Sequence, residues 1–231
     1  MDIINISEKK RQAWLKKTLM NIPKGSRILD AGAGELRNRL LCEHLNYVSQ
    51  DFCQYDGKGD GKGLQTGAWN TTRIDIVCDI TAIPEPESSF DVILCSEVLE
   101  HVPEPVKVIK ELGRLLKPGG KLILTAPFAS LVHFAPYYFY SGFSSYWYKY
   151  HLPRQGFVIE ELTANGDWFL YCQQELVCSG ALARRKYYPD WPVGYLLAIL
   201  GLLYFKIRKG RIKVDEVACY GWHCIAVKNQ K

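Results

Sequence analysis

RILDAGAGELRNRL, residues 27–40, begins as an apolar run, reaches an acid, passes two glycines and continues with a helical pattern. Arg27 to Leu29 read as a strand, Asp30 closes it, Gly32 and Gly34 make a turn, and a helix is expected to follow. Glycine lets a backbone approach a ligand closely, and the first turn of a helix offers unpaired amide groups. A nucleotide-like ligand is expected there. A dinucleotide would call for a third glycine three residues after Gly34, where Arg37 stands, and Asp30 would repel a pyrophosphate. A positively charged amino group suits Asp30 better. Asp51 lies at the end of the next strand and can accept from both hydroxyls of a ribose. The two acids together favour a nucleoside that carries a cation; the plainer alternatives are Asp30 as a helix cap and Asp51 as a turn residue.

On either side of this unit, strands and helices alternate. Ser7 can cap a first helix through about Met20, ended by Ile22-Pro23-Lys24-Gly25. Strand-like runs occur at Arg27 to Leu29, Tyr47 to Gln50, Ile74 to Cys78, Asp91 to Cys95 and Lys121 to Ala126. Glu104 to Leu116 is a helix with the apolar stripe Val106, Ile109, Leu112 and Leu116, stopped by Lys117-Pro118-Gly119-Gly120. Gly156 to Leu162 reads as a sixth strand, Asp167 to Arg185 and Val193 to Phe205 as helices, and Val217 to Val227 as the last strand. Such alternation predicts a mostly parallel sheet covered on both faces. Between the second and third strands, residues 52–72 carry five glycines, a long irregular excursion of the kind that is usually functional or mobile.

Composition narrows the classes. With 231 residues, 48% of them apolar, the chain can bury one substantial core, so a single domain over 1–231 is expected. A net charge of +5 without a concentrated basic face argues against nucleic acid. The eight cysteines are scattered without a CxxC pair and read as free core thiols of a reducing compartment. The beginning of the sequence lacks the apolar segment of a secretory signal, so a cytoplasmic location is expected. No carboxylate and histidine run has metal-ligand spacing, and no metal is expected.

The motifs occur in a telling order: ILDAGAG, Asp51, Asp79-Ile80, FDVILCSEVLEHVPEP and LGRLLKPGGKLILTAPF, across about residues 25–130. In that combination the sequence resembles class I S-adenosylmethionine-dependent methyltransferases, including those of bacterial glycan and secondary-metabolite clusters. The resemblance implies a Rossmann-like sheet of seven strands with helices on both faces, a lid after strand five and a helical insertion before the last strand. It divides the chain into an N-terminal helix (1–24), a cofactor core (25–130), a lid and acceptor segment (131–156), the insertion (167–210) and the last strand (217–227). S-adenosyl-L-methionine would be the cofactor and S-adenosyl-L-homocysteine the product. Asp30, Gly32, Ala33 and Gly34 would flank its methionine part, Asp51 its ribose, and Asp79 with Ile80 its adenine. Ser96 and Glu97 would line the floor. The family loop usually has a third glycine where this chain has Leu36.

After the fifth strand comes LVHFAPYYFYSGFSSYWYKYHL, residues 131–152, with ten aromatic rings between Phe134 and Tyr150. In such sheets ligands bind outside the carboxyl ends of the strands, where this belt begins, so its rings are expected to roof the pocket and wall the acceptor. Aromatic faces suit a sulfonium cation. His133 is the expected general base, with His101, Tyr138 and Tyr140 as acceptor contacts; the competing readings are satisfied structural histidines and rings packed together as a lid core. Glu100 is left out of the expected site.

The acceptor class stays open between a hydroxyl of a small molecule, with a sugar or glycan precursor favoured, and a lipid or quinone at the inner membrane surface. VGYLLAILGLLYF, residues 193–205 between basic clusters, supports the second; at about 20 Å as a helix it is too short to span a bilayer. It could equally pack within the protein or in a homodimer. A protein that binds the cofactor without turnover, as a partner subunit, is the alternative of another class.

Overall fold

The structure, a computed structural model, describes residues 6–185, 189, 191–208, 215 and 217–230. Its elements are α1 (Ile6–Met20), β1 (Arg27–Ala31), β2 (Asn46–Asp51), β3 (Ile76–Val77), β4 (Phe90–Ser96), α2 (Pro105–Leu115), β5 (Leu116–Pro127), α3 (Ser145–Arg154), β6 (Phe157–Asn165), α4 (Trp168–Arg185), α5 (Trp191–Arg208) and β7 (Gly221–Lys228). The strands form one seven-stranded sheet in the order β3-β2-β1-β4-β5-β7-β6. The pairs β3–β2, β2–β1, β1–β4 and β4–β5 are parallel. By contrast, Tyr220 N donates to Asn165 O and Asn229 N to Gly156 O, each at 2.9 Å, so the start of β7 meets the end of β6 and its end meets β6's start. The last strand runs antiparallel to β6, which makes the sheet mixed.

A central position explains the sequence of β1: four of its five residues are buried, a near-continuous run rather than an alternation. Its Ile28 joins a core with Leu15 and Leu19 of α1, Val92 and Leu94 of β4 and Ile123 of β5. Each such side chain contributes about 1.5–3 kcal/mol by leaving water. Helix α2 begins with Pro105 in its first turn, where a missing amide hydrogen costs nothing, and buries Val108, Ile109, Leu112 and Leu115. At its end, β5 starts at Leu116 and carries the Lys117-Pro118-Gly119-Gly120 segment within it; a register shift opposite Phe90 and Val92 absorbs the extra residues.

Three expectations change. No α-helix follows Gly34: the chain makes turns and one short 3-10 helix, Arg39–Cys42. Leu36 stands at φ 61°, a left-handed conformation that an α-helix cannot propagate through. The third strand shrinks to two residues, Ile76 and Val77, paired with Gln50 and Asp51. The aromatic belt divides, since residues 145–154 form α3, with Tyr148 and Leu152 fully buried. An aromatic helix in the core was not anticipated, and only residues 131–143 remain as a loop above the strand ends.

Two compact units partition these elements. The larger holds Trp14–Thr163 and the chain from Trp222 onward, and with them nearly the whole sheet. The smaller holds the beginning of α1, the end of β6, α4 and α5. Within it Asn165 Nδ2 donates to Ser7 O, Tyr220 OH donates to Leu170 O, and Phe169 packs on Phe205. The insertion thus consists of two helices, α5 being longer at both ends than its apolar pattern indicated. Of the flanking basic residues, Lys186 and Lys209 lie outside the described residues. Among the described residues, no helix is long and apolar enough to cross a membrane.

Candidate active site

The carboxyl ends of β1, β2, β4 and β5 lie side by side in the larger unit, and the chain leaves each of them in a strained or glycine-dependent turn. Of five non-glycine residues with positive φ among the described residues, Leu36, Cys53, Glu97 and Phe134 all belong to the loops that follow these ends. Such strain gathers where side chains are aimed for function.

After β1 the turn is held from β2. Gly32 N and Ala33 N both donate to Gln50 O at 2.8 Å, and Gly34 N donates to Asp51 Oδ2 at 2.9 Å. Asp51 Oδ1 accepts from Cys53 N at 2.8 Å, so one buried carboxylate fixes both the glycine turn and the start of its own loop. Each of its oxygens keeps acceptor capacity for a further donor. Asp30 is buried beneath the turn and accepts from Tyr47 OH at 2.7 Å. Burial raises its pKa from 3.8 to about 6, against the lowering effect of Tyr47 and Asn38 and with help from the charge of Asp51. A cation beside it would restore the ionised form.

Asp79 and Ile80, expected at the adenine, follow β3 at the edge of the sheet. Asp79 Oδ1 accepts from Thr81 N and Thr81 Oγ1 at 2.8 and 2.7 Å, on the surface, while Ile80 is buried. After β4, Thr125 Oγ1 donates to Glu97 Oε1 at 2.9 Å and therefore accepts from Ser96 Oγ at 2.8 Å. This relay pins Ser96 and Glu97 to β5 at the floor of the strand ends.

Glycine spacing in residues 57–67 has a steric cause. A Cβ at Gly59 would lie 1.9 Å from Ala135 O, and one at Gly63 would lie 2.5 Å from Val132 O. The two loops meet backbone to backbone: Leu64 N donates to Val132 O, Phe134 N to Leu64 O and Asp60 N to Ala135 O, at 2.9–3.1 Å. Rings close the space beneath this seam. Tyr55 stacks on Phe134 at 4.7 Å, Trp69 meets Phe134 edge-on at 5.2 Å, and Phe134 stacks on His101 at 5.1 Å. Trp69 also rests on the glycine turn, its ring 2.7 Å from where a Cβ of Gly34 would be. One continuous contact path therefore links the turn after β1 to His101.

His101 and His133 meet edge to face, ring centroids 4.7 Å apart. His101 Nδ1 is 2.6 Å from Tyr137 O and His133 Nδ1 is 2.8 Å from Leu131 O. Carbonyls only accept, so both Nδ1 atoms carry a proton, and in the neutral ring Nε2 is the nitrogen with the lone pair. Burial, then the charge of His133, lowers His101 to about 4, despite its bond to Tyr137 O, and keeps it neutral at ordinary pH. Glu100, buried, places Oε1 3.7 Å from His101 Nε2. Its backbone carbonyl accepts from Phe139 N and Tyr140 N, which ties the loop after β4 to the belt.

Of the expected acceptor contacts, Tyr138 lies 5.3 Å from the His133 ring and donates to Ser130 O. Tyr140 does not join them; its hydroxyl donates to Pro103 O and its ring packs on Phe143. The expectation of no metal-ligand group needs correction: one ligand atom each from Glu100, His101 and His133 lie within 4.8 Å of one another. Local spacing could not show this, because His101 follows β4 and His133 follows β5. Gln50, Tyr55 and Trp69 went unread in the sequence, and Glu100 had been left out of the expected site although it borders His101. Only the repeated glycines of residues 57–67 hinted at the loop that carries Trp69. The eight cysteines are free, but only Cys42, Cys95, Cys219 and Cys224 are buried in the core; Cys53, Cys78, Cys172 and Cys178 are partly exposed.

A methyltransferase-domain family matches residues 6–185. The ubiquinone biosynthesis O-methyltransferase of Xanthomonas oryzae pv. oryzae is 36% identical over 107 residues, 44% of this chain and 43% of that protein. Its namesake in Paraburkholderia phymatum is 36% identical over 102 residues, 42% of each. The chain thus matches less than half the length of these curated relatives. Among solved structures, the [4+2]-cyclase SpnF superposes with a TM-score of 0.57 at 18% identity, over 96% of this chain and 81% of that one. The Haemonchus contortus phosphoethanolamine N-methyltransferase 2, in complex with S-adenosyl-L-methionine, gives 0.54 at 17% identity over 96% and 52%. At such identities the likeness concerns the fold, and a cyclase and a methyltransferase share it.

Proposed function

The chain belongs to the methyltransferase-domain family, with the class I S-adenosylmethionine-dependent fold, and from that premise we propose that it transfers a methyl group from S-adenosyl-L-methionine to a hydroxyl of a small molecule. The observation that carries this reading is the contact path from the Gly34 turn through Trp69 and Phe134 to two imidazoles with available Nε2 atoms. Asp30 takes the ammonium of the methionine part, Gly32, Ala33 and Gly34 let it approach, Asp51 accepts from the ribose, and Asp79 and Ile80 flank the adenine. Ser96 and Glu97 form the floor.

Methyl transfer is an in-line displacement on a carbon already activated by the sulfonium, so the protein's main contribution is alignment. Proton removal from a weakly acidic hydroxyl adds about two to four orders of magnitude. His133 is the base in this reading: its Nδ1–H is engaged, its Nε2 is open, and it is nearer the surface than His101. Tyr138 and His101 border the acceptor. S-adenosyl-L-methionine labelled in its methyl group, offered with sugar nucleotides and with simple phenols, tests the reading; transfer to none of them, despite cofactor binding, would leave a cofactor-binding partner subunit as the function.

A second acceptor class has its own support. The relatives above are named for ubiquinone biosynthesis, and α5 exposes Leu196, Leu197, Leu200 and Leu203. A lipid-soluble phenol reached at the cytoplasmic membrane surface fits both. Flotation with anionic liposomes separates the classes: no association at low salt counts against the lipid acceptor and for a soluble one such as a sugar or glycan precursor. A homodimer through the same helix would appear as a doubled mass in light scattering.

A further inference from the structure

We propose that Glu100, His101 and His133 form a binding site for one first-row divalent transition-metal cation, and that an acceptor oxygen occupies an open position on that ion. The geometry is that of a two-histidine, one-carboxylate ligand set, with one donor atom from each residue within 4.8 Å of the others. Three protein ligands with positions left open is the arrangement of ions that act on a substrate, whereas closed sites use four. Imidazole nitrogens favour zinc, iron, cobalt or manganese over magnesium and calcium, which prefer oxygen.

Two features beyond proximity point to an ion. Both imidazoles are held the way metal ligands are, with Nδ1–H donated to a backbone carbonyl, Tyr137 O at 2.6 Å and Leu131 O at 2.8 Å, which leaves Nε2 as the ligand atom, in His101 3.7 Å from Glu100 Oε1. The carboxylate between them is buried to 1% exposure, a place where a negative charge gains most from a cation beside it. Glu100 Oε1 and His101 Nε2 are already 3.7 Å apart; tetrahedral ligands about 2.1 Å from one ion lie roughly 3.4 Å from each other, so this pair closes by about 0.3 Å and the widest gap by up to about 1.4 Å, within the reach of side-chain rotation.

This site deepens the hydroxyl-methylation reading and rests on it for its chemistry. An acceptor hydroxyl bound to the ion through oxygen loses its proton to solvent more readily, as metal-bound water does. The oxygen lone pair then forms the new C–O bond while the S–C bond breaks, and the sulfonium departs as a neutral thioether. The histidines act here as ligands, and the ion replaces His133 as the group that makes the oxygen nucleophilic.

The test is titration of the full-length, S-adenosylhomocysteine-saturated protein with Co²⁺ and with Zn²⁺, followed by visible absorption for cobalt and by equilibrium dialysis with elemental analysis for both. One ion per chain is expected, with affinity at least tenfold lower in Glu100→Gln and in His133→Asn. The second variant alters a half-buried ring on a loop and decides the matter if the first fails to fold. No saturable binding, or binding unchanged in His133→Asn, overturns the site. Chelation separates the two proposals: methyl transfer that continues at full rate in metal-free protein overturns the ion and leaves the transferase. One bound ion lost in the variants, without methylation of any hydroxyl acceptor, upholds the ion and sinks the transferase.

Discussion

The two sides of the proposed site, one assigned to the cofactor and one to the acceptor, are built differently. Around the turn after β1, the groups that hold one another come from adjacent strands: Gln50 O and Asp51 Oδ2 hold the amides of Gly32, Ala33 and Gly34, and Asp30 pairs with Tyr47. On the acceptor side, His101, His133, Phe134 and Trp69 come from three separate loops and meet through rings and main-chain bonds. The first depends on a few irreplaceable atoms, whereas the second depends on a frame into which different side chains can be set.

Five tests put that contrast at risk, and the largest effect belongs to the acceptor side. His133→Asn is expected to lower kcat by about two to four orders of magnitude while S-adenosylhomocysteine affinity stays within about twofold. Calorimetry and steady-state rates check it; a matching loss of cofactor affinity would mean that the two sides are one. Gly34→Val places a Cβ 2.7 Å from the Trp69 ring at φ 52°, and strain of about 3 kcal/mol predicts cofactor binding weakened more than about a hundredfold. Gly61→Val, where no atom lies within 4 Å but φ is also positive, should cost folding stability only.

The third is a pH effect. Asp30 in the unliganded fold is raised from 3.8 to about 6, so its contribution to stability is complete below about pH 4 and is lost as pH rises through about 6. A cationic ligand needs the ionised form, so cofactor affinity should rise by up to about tenfold per unit between pH 5 and 6 and level off above. Asp30→Asn should flatten both curves, measured by thermal melting and by titration at each pH; a slope that persists would assign the dependence to another group. Trp69→Ala, fourth, removes the ring that spans the two sides and should raise the Michaelis constant of cofactor and acceptor together, by about tenfold each. Tyr148→Phe should have the smallest effect. Its buried hydroxyl has no hydrogen-bond partner, so the variant should be as stable or more stable by up to about 1 kcal/mol, read by thermal melting, with kcat unchanged. A drop in kcat would return α3 to the acceptor wall.

The same contrast governs what the sequence disclosed. ILDAGAG and Asp51 could be read because strand, acid and glycine turn are local patterns, and the parallel pairing of β1 with β2 brings their ends together without further information. The helix after Gly34 failed as an expectation because Leu36 adopts a left-handed conformation that its residue type disfavours and that no residue pattern announces. His133 was singled out, yet its partners were not, because His101 and Glu100 reach it only once β4 and β5 lie side by side. Counting aromatic residues could not tell the loop at 131–143 from the helix at 145–154. Burial of Tyr148 settled that, and burial is a property of the packed molecule.

The bonds that join residues 60–64 to 132–135 run between main-chain atoms, so they survive replacement of the side chains beside them. Mutation can therefore exchange Tyr55, Phe134 or Tyr138 and alter what is recognised without undoing the frame, provided Gly59 and Gly63 stay bare. An enzyme so made can drift between acceptors over evolutionary time, and its descendants should diverge fastest in their rings and slowest in their glycines.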